Sequence, residues 1–546
     1  MFKKNLLFFI FFTFFIINVS GQTYYLPLNQ QYNQDIQKKL YSPDIYFHTS
    51  IRPYYIPEVK AVIDYDSLRQ SQKWKHSFHK KWKQKAWDKL FNDNVISLKR
   101  KGFSLNINPL MNFSVGRGVP SKETTWVNTR GIEIKGAIGK NFSFFSSFYE
   151  NQGIFPEYVN QYVIQNKVVP GQGRIHVLLD NTGEHYFLNG RSFDYSNANG
   201  YISWQSGKYF NFQFGKGKNF YGDGYRSLLL SDNATNNLFF KASLNIWHFK
   251  YQILLNQYVD LRDSTMQLGY PRKYSAVHYI SWNITKRIAL SFFDAVVWQA
   301  RDSKSNYRGF DIQYLNPAIF LRSVEFSVGS PDNALLGANL SIIAGKHSVF
   351  YGQLLLDEFV FKKILARTGY WGNKQAVQLG FKTYDAFKIK NLYLQTEFNY
   401  VPPYTYSEQF ERINYGHYNQ PLAHPFGANF WESVNFIRYH HNRYYFQYEF
   451  LYSILGKDPP GKNYGGDIYK SYNTRVREYG NFVGQGIRTR LLYQNISASF
   501  LINPSYNLNL TVGAVFRNLK SDISSSQTNY FYISLRTSLR NLYYDF

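Results

Sequence analysis

Residues 209–235 read YFNFQFGKGKNFYGDGYRSLLLSDNAT, and their pattern of aromatic residues and glycines indicates the fold of the chain. At its start, phenylalanines at alternate positions are separated by Asn211 and Gln213. Because successive side chains of an extended strand point to opposite faces, this alternation predicts a strand with one aromatic face and one amide face. Glycines then interrupt the alternation, and an apolar run and a polar turn follow. We therefore expect a β-strand that leads into an irregular connection.

The segment GKGKNFYGDG within this stretch is not a phosphate-binding loop. Such a loop ends in Gly-Lys-Ser/Thr and opens a helix, because backbone N–H groups at the helix start hold the phosphates. Neither feature follows the glycines here. Nucleotide binding at this segment is therefore excluded.

The composition of the chain also favours β structure. Aromatic residues make up 19% of the sequence, with 48 Tyr and 48 Phe, yet the mean hydropathy is −0.40. This combination is unusual for an ordinary soluble domain. Beyond the N-terminal leader, no apolar segment approaches the roughly 20 residues that a membrane-spanning helix needs. A helical membrane protein is therefore excluded.

Residues 1–21 predict an export signal. Lys3 and Lys4 precede an apolar run over residues 6–19, and small residues stand just before Gln22. The chain contains no cysteine, so the mature protein has neither a cysteine-linked lipid anchor nor a disulfide. Its stability must come from packing and hydrogen bonding.

The charge predicts an acidic partner. The formal net charge is +26, and residues 73–101 hold ten Lys or Arg against only Asp88 and Asp93. Such a surplus favours phosphorylated lipid head groups, acidic glycans or nucleic acid. Because the chain is exported, we expect no nucleic acid among its partners.

Residues 22–101 predict a periplasmic segment with one basic amphipathic helix over about residues 67–91. Residues 22–66 read as extended and irregular because of their Pro steps. The helix follows from apolar residues that recur every four positions, namely Trp74, Phe78, Trp82, Ala86 and Leu90. Either this helix packs with its lysines merely solvated, or it caps a barrel mouth and contacts anionic lipid or a partner.

Residues 102–546 contain many segments with strand-like alternation, separated by polar turns and a few long connections. The clearest strand spans 103–115, where apolar residues alternate with Ser and Asn over a length that crosses a hydrocarbon layer. The other predicted strands are 126–138, 142–150, 194–205, 209–220, 238–247, 249–258, 273–284, 287–298, 377–382, 392–400, 443–452, 488–500, 508–516 and 530–539.

A sheet of this size with one apolar face must pack on a second sheet or close on itself in lipid. We predict an all-β fold: a closed antiparallel transmembrane β-barrel with a short α-helical periplasmic segment at its N-terminus. At ~25 residues per strand with its share of loop, residues 102–546 give ~16 to 18 strands. The long connections 151–191, 404–431 and 457–486 are expected on the extracellular side.

The C-terminus supports a barrel. Leu542, Tyr544 and Phe546 place bulky apolar groups at alternate positions, which resembles the signal that the barrel-insertion machinery recognises. The preceding strand has the opposite phase, so we expect a bulge or a strand end near Asn541.

The sequence also resembles a known family. FGKGKNFYGDGYRSLLLSDNAT resembles the signature of the Wzi-like outer-membrane proteins, and the likeness continues through SAVHYISWNI, LSFFDAVVW, YLNPAIF and YGQLLLDEF. It covers roughly residues 100–450. The aromatic composition and the YYDF ending also look like proteins of gliding bacteria, where relatives of the RemB kind are associated with surface motility.

The resemblance implies binding without catalysis, by an outer-membrane lectin that helps to hold exported polysaccharide on the cell surface. The implied partners are surface polysaccharide, lipopolysaccharide and outer-membrane lipid, the barrel-insertion machinery, and gliding or secretion machinery. We expect no cofactor and no metal ion.

Two groups of residues are candidates for glycan binding. Sugars stack their C–H faces on aromatic rings and need paired donors and acceptors for their hydroxyls. The candidates that combine these groups are Tyr221, Asp223, Tyr225 and Arg226 in the opening stretch, and Tyr415, His417 and Tyr418 in a later loop. The alternative is an aromatic girdle at the membrane boundary together with ordinary loop polarity.

The two other function classes are an enzyme and a channel. For an enzyme, Asp357 and Glu358 are adjacent and would point to opposite faces of a strand, so they cannot form a facing carboxylate pair. Neither Gly-x-Ser-x-Gly nor His-Glu-x-x-His occurs. The remaining alternative is a porin-like channel for small solutes, which a barrel with a polar interior forms unless it is plugged.

Overall fold

The structure is a computed structural model that describes residues 24–119, 121–176, 178–179, 185–186, 192–262, 269–301, 306–316, 332–358 and 360–546. The predicted export signal, residues 1–21, lies outside the described residues. Most of the predicted strand-rich region and of the N-terminal segment lies within them, whereas residues 317–320 of the motif YLNPAIF lie outside the described residues.

A closed barrel of 18 antiparallel strands forms the body of the protein. In chain order the strands are β1 Phe103–Val119, β2 Thr124–Ile138, β3 Phe142–Ile154, β4 Phe193–Ser206, β5 Phe210–Gly217, β6 Asn237–Ile246, β7 Phe249–Val259, β8 Arg272–Asn283, β9 Ile288–Gln299, β10 Asn333–Ala344, β11 Ser348–Leu356, β12 Gln375–Tyr384, β13 Leu392–Val401, β14 Phe430–His441, β15 Tyr444–Lys457, β16 Ile487–Asn503, β17 Leu508–Ser521 and β18 Ser525–Thr537. Strand β18 pairs with β1 and closes the barrel. The predicted fold class is confirmed.

The strands alternate between a polar interior and an apolar exterior. On β5, Asn211 and Gln213 point inward and are buried, whereas Phe210 and Phe214 point outward and are exposed. The same alternation places Phe113 and Val115 of β1 on the outer surface. An outer apolar band with a polar interior is the pattern of a barrel that lies in a lipid bilayer. None of the helices among the described residues is long and apolar enough to cross a membrane.

The two ends of the barrel differ in the length of their connections. At one end, which we call the short-turn end, the strands are joined by residues 139–141, 207–209, 247–248, 284–287, 345–347, 385–391, 442–443 and 504–507. At the other, the long-loop end, most connections are much longer, namely 155–192, 218–236, 260–271, 300–332, 357–374, 402–429 and 458–486. Short turns face the periplasm and long loops face outward in outer-membrane barrels.

The N-terminal segment, residues 24–101, lies at the short-turn end. Its helices are α1 Gln30–Leu40, α2 Ile56–Val62, α3 Tyr65–Ser71 and α4 Lys81–Phe91. Lys38 of α1 forms an ion pair of 2.7 Å with Asp385, which lies in a short turn. Arg443, in another short turn, donates to the Asn92 side chain just after α4 at 2.9 Å. The segment is therefore attached to the end that faces the periplasm in such barrels.

The structure has two helices, α3 and α4, where the sequence predicted one helix over about residues 67–91, because residues 72–80 are not helical. The prediction of an irregular stretch over 22–66 was also wrong, since α1 and α2 lie there. Asn29 caps α1 through its side chain, which accepts from the Tyr32 backbone N–H. Helix α4 buries none of its residues, and Trp82 is 66% exposed.

Two more helices belong to the long connections, α5 Glu157–Asn166 and α6 Phe361–Leu365. Four pairs of two-residue strands form small sheets separate from the barrel sheet: Ile51–Arg52 with Phe220–Tyr221, Val168–Val169 with Gly173–Arg174, Leu178–Leu179 with His185–Tyr186, and Gly416–His417 with Gln420–Pro421. Strand Ile96–Arg100 pairs with residues 103–107 at the start of β1, whereas β18 pairs with residues 112–119 of the same strand.

Four segments fold into the barrel and fill much of its lumen. They are part of the N-terminal segment, the lumen loop (residues 218–236), the second lumen loop (402–429) and the C-terminal tail (538–546). The main apolar cluster joins Leu228 and Leu229 of the lumen loop to Tyr406 and to inward residues of the wall such as Phe293. The interior is therefore a packed core as well as a polar lumen.

The C-terminal residues do not continue the last strand. Strand β18 ends at Thr537, four residues before the predicted end near Asn541, and the tail then turns into the lumen. Tyr158 of α5 donates to the Tyr544 carbonyl at 2.9 Å, so the tail reaches the long-loop end. Leu542, Tyr544 and Phe546 are thus not outward residues of a terminal strand. Recognition by the insertion machinery stays a prediction.

Candidate functional site in the barrel lumen

Arg226 lies at the centre of the polar contacts that hold the lumen loop. Its guanidinium lies 3.1 Å from Glu432 of β14 and 2.8 Å from Asp545 of the C-terminal tail. Its backbone N–H donates to Glu397 of β13 at 3.0 Å, and the N–H of Tyr225 donates to the same carboxylate at 2.7 Å. Only 2% of Arg226 is exposed. A buried arginine needs such carboxylates to compensate for its lost hydration.

Asp223 joins the lumen loop to the N-terminal segment. Its carboxylate accepts from the Tyr41 hydroxyl at 2.6 Å and the Thr49 hydroxyl at 2.7 Å. It also accepts from the side-chain amide of Asn339 on β10 at 2.8 Å. These bonds satisfy both oxygens, so Asp223 connects the wall, the loop and the N-terminal segment.

Tyrosines of the two lumen loops complete the packing. The ring of Tyr221 stacks on Tyr279 of β8 with centroids 4.3 Å apart, and its hydroxyl donates to Gln252 at 3.1 Å. The hydroxyl of Tyr415 in the second lumen loop donates to the Leu229 carbonyl at 2.8 Å. Stacking and a satisfied hydroxyl are how buried tyrosines are accommodated.

His417 is a neutral hydrogen-bonding residue in the second lumen loop. Its Nδ1 accepts from the Val259 backbone N–H at 3.0 Å, and its Nε2 lies 3.4 Å from the Asn236 carbonyl. Burial lowers its pKa to about 3, so the imidazole stays neutral at physiological pH.

Most residues predicted to bind glycan are therefore enclosed. The six that are buried are Tyr221, Asp223, Tyr225, Arg226, Tyr415 and His417. Tyr418 is half-buried. The structure brings the first four together with the tail and the second lumen loop, but it opens no face of these six to a sugar at the outer surface. Their role in glycan binding stays a prediction.

The carboxylates that hold this network were missed at the sequence level. Glu397, Glu432 and Asp545 stand far apart in the sequence and follow no motif, whereas Asp232 was placed only in the polar turn of the opening stretch. The side chain of Asp232 accepts from the Tyr543 hydroxyl at 2.7 Å and from the Asn541 amide at 2.9 Å. The alternation of apolar and polar residues on their strands places Glu397 and Glu432 on the inward face, and this pattern could have identified them as lumenal carboxylates.

A cavity of about 650 Å³ remains in the lumen beside these contacts. It lies between the N-terminal segment, the inward faces of the first six strands and the C-terminal tail. At its inner end, Lys218 donates to the carbonyls of Gly171 at 2.7 Å and Asp232 at 2.8 Å. At the short-turn end its lining includes the exposed residues Asp66, Gln70 and Lys99, so it reaches solvent there.

A group of carboxylates lies at the long-loop end. Oxygens of Asp357, Glu358 and Glu408 lie within 4.8 Å of one another. The expectation that Asp357 and Glu358 point apart was wrong, because β11 ends at Leu356 and both residues lie in the bend beyond it. Lys374 lies 3.7 Å from Asp357 and 3.4 Å from Glu358, so an internal ammonium already supplies positive charge where a metal ion would bind.

Comparison with known proteins supports the fold. Neither a protein-family model nor a curated protein matches the sequence. Among solved structures, the chain is similar to Wzi of Escherichia coli, an outer-membrane protein described as a carbohydrate-binding β-barrel involved in group 1 capsule assembly. The identity is 12%, the TM-score is 0.53, and the match covers 94% of this chain and 99% of Wzi.

Two further barrels match more distantly. OprD of Pseudomonas aeruginosa is 10% identical with a TM-score of 0.42, over 82% of this chain and 96% of OprD. OccAB2 of Acinetobacter baumannii is 10% identical with a TM-score of 0.42, over 79% of this chain and 97% of OccAB2. The closed antiparallel barrel of this chain, with its apolar outer band, has the fold of an outer-membrane β-barrel.

Proposed function

We propose that this protein is a non-enzymatic outer-membrane barrel that binds exported surface polysaccharide and helps to retain it on the cell. A role in gliding would then follow from the altered cell surface. The observation that carries the proposal is the filled lumen, in which two loops, the tail and the N-terminal segment are joined by buried hydrogen bonds. A barrel built in this way is suited to binding more than to free diffusion.

The likeness to Wzi agrees with this proposal. Wzi is described as a carbohydrate-binding barrel, and the match runs over nearly the full length of both chains. The net charge of +26 and the aromatic content of 19% suit a glycan that carries acidic groups.

The test compares cell-bound and shed polysaccharide in a strain that lacks the gene, with gliding scored on the same cells. We expect more polysaccharide in the medium at unchanged total synthesis, and restoration by the intact gene. Unchanged retention would refute the proposal. A motility defect that remained with normal retention would instead indicate a role in export or display of an adhesin.

A porin-like channel is the second candidate, and the lumenal cavity is the observation that favours it. A channel would have to continue past Lys218, which donates hydrogen bonds to the Gly171 and Asp232 carbonyls at the inner end of the cavity. Single-channel recordings of the full-length protein in planar bilayers separate the two functions. We expect no steady conductance, whereas a steady open level would favour the channel.

A further inference from the structure

The lumenal cavity contains a buried acceptor without a partner. Gln213 of β5 is 2% exposed and lines the cavity. Its Oε1 has no hydrogen-bond partner among the residues that the structure describes. Leaving such a group unsatisfied costs free energy, since it has lost its hydration without compensation. A ligand hydroxyl in the cavity would satisfy this oxygen.

The cavity is also positively charged. Eight Lys or Arg and three Asp or Glu line it. Three of the cations hydrogen-bond to neutral oxygens: Arg69 to Gln72 at 2.8 Å, Lys218 to two backbone carbonyls, and Arg540 to Gln172 at 2.8 Å. Hydrogen bonds of this kind leave their charge largely uncompensated. Low-dielectric walls concentrate such a field within a cleft and attract anions.

The remaining lining suits a saccharide. Eight aromatic side chains line the cavity, among them Tyr149 and Tyr201, and eight Asn or Gln side chains lie between them. Aromatic rings stack on the C–H faces of sugars, and amides pair with their hydroxyls. The volume of about 650 Å³ falls within the roughly 300–1,000 Å³ typical of small-ligand sites.

From these observations we infer that the lumenal cavity is a binding site for an acidic saccharide that enters from the short-turn end. Gln213 accepts a hydroxyl of the ligand, and the cations bind its carboxylate or phosphate groups. This inference rests on the proposed function and adds to it the class of glycan and a place in the barrel distinct from the enclosed candidate residues.

The test uses the full-length protein in a nonionic detergent. Titration calorimetry measures binding of trigalacturonate, which is acidic, and of maltotriose, which is neutral and of the same length. We expect trigalacturonate to bind at least tenfold more tightly and to weaken as salt is raised, because screening reduces the attraction. Equal binding of the neutral sugar, or no binding of either, would overturn the inference.

Matched variants locate the site. Gln213→Met keeps the length of the side chain and removes the acceptor, and we expect roughly fivefold weaker binding of trigalacturonate. Gln527→Met, at an exposed position of β18, should bind as the wild type does. Lys99→Gln in the cavity mouth should weaken binding more than Lys101→Gln, which is exposed on the same hairpin outside the lining. Unchanged binding by both cavity variants, with normal heat-modifiable gel mobility, would refute the site.

A last arm separates this inference from the proposed function and identifies the source of the sugar. The cell's own surface polysaccharide and the delipidated core of its lipopolysaccharide are titrated in the same way. Binding of the polysaccharide that Gln213→Met leaves unchanged would overturn the cavity site but not the proposed function. Binding that Gln213→Met weakens supports the site, and the tighter of the two ligands names the source.

Discussion

Arg226 and Asp545 form a buried ion pair of 2.8 Å that connects the lumen loop to the C-terminal tail. Both are nearly inaccessible, with 2% of each exposed. The Tyr225 hydroxyl donates to the same carboxylate at 2.9 Å. The C-terminal tail is thus held in the centre of the barrel by charge and hydrogen bonding, not by strand pairing.

Removing this carboxylate should destabilise the folded barrel. Asp545→Ala leaves Arg226 with Glu432 as its remaining ion-pair partner and deprives Tyr225 of its acceptor. Breaking a buried ion pair costs about 3–5 kcal/mol, because the remaining charge stays buried. We expect the protein to lose its compact, fast-migrating form on unheated gels at a lower temperature than the wild type. Asp44→Ala, at an exposed position, is the control and should leave that temperature unchanged.

The glycines of the opening stretch should differ sharply in tolerance. A Cβ at Gly224 would collide with the Glu397 carboxylate and lie 2.8 Å from the Arg226 carbonyl. A Cβ at Gly217 would meet only the Phe239 ring, at 3.4 Å. We therefore expect Gly224→Ala to lower the yield of folded barrel and its thermal stability, and Gly217→Ala to have little effect. Equal behaviour of the two variants in the gel-mobility assay would contradict the close approach at residue 224.

The barrel could be predicted because its strands repeat a local pattern. Alternation depends on a period of two residues, and this period is visible wherever one face meets lipid and the other a polar lumen. The strands Asn333–Ala344 and Ser348–Leu356 were missed. Their inward residues include Leu335 and Leu355, which pack in the apolar core of the lumen, so both faces are apolar and the alternation weakens. Strand Phe430–His441 alternates clearly but was not among the predicted strands, and its first two residues were included in the predicted connection 404–431.

The candidate site was predicted less well, since its contacts are not local. Aromatic and polar residues close together suit a sugar, but the same residues suit a lumen plug, and the sequence of residues 221–226 does not separate the two. The plug is distinguished from a sugar site by the carboxylates that bind Arg226, namely Asp545, Glu432 and Glu397. Only closure of the barrel brings these three residues to Arg226. By contrast, the inward amide face of β5 was predicted, and Gln213 on that face lines the cavity.

Tyr406 offers a test of how the two lumen loops hold each other. Its hydroxyl donates to the Leu228 carbonyl at 2.7 Å, and none of its side chain is exposed. Tyr406→Phe preserves the packing but leaves that carbonyl unsatisfied, which costs about 1–3 kcal/mol. We expect a lower unfolding temperature and faster proteolysis within the second lumen loop. Tyr209→Phe, at a position 44% exposed, should change neither.

The carboxylate group at the long-loop end should make stability depend on pH. Burial raises the pKa of Glu408 to about 8 and that of Asp357 to about 6, from ordinary values of 4.5 and 3.8. At a pH between the ordinary and the raised pKa of each group, the folded protein keeps a proton that the unfolded chain has released. The free energy of unfolding therefore falls as the pH rises from about 4.5 to 8. Lys374 stays protonated in this range because the nearby carboxylates raise its pKa against the effect of burial.

Replacing one carboxylate separates this effect from the rest of the barrel. Glu408→Gln removes the group with the higher pKa and leaves Asp357, Glu358 and Lys374 in place. We expect the fall in unfolding temperature between pH 5 and pH 8 to become smaller than in the wild type. The variant should gain more stability relative to the wild type at pH 8 than at pH 5. Glu411→Gln changes an exposed carboxylate of the same loop and should keep the wild-type slope. If Glu408→Gln also kept that slope, the pH dependence would have to come from groups elsewhere in the protein.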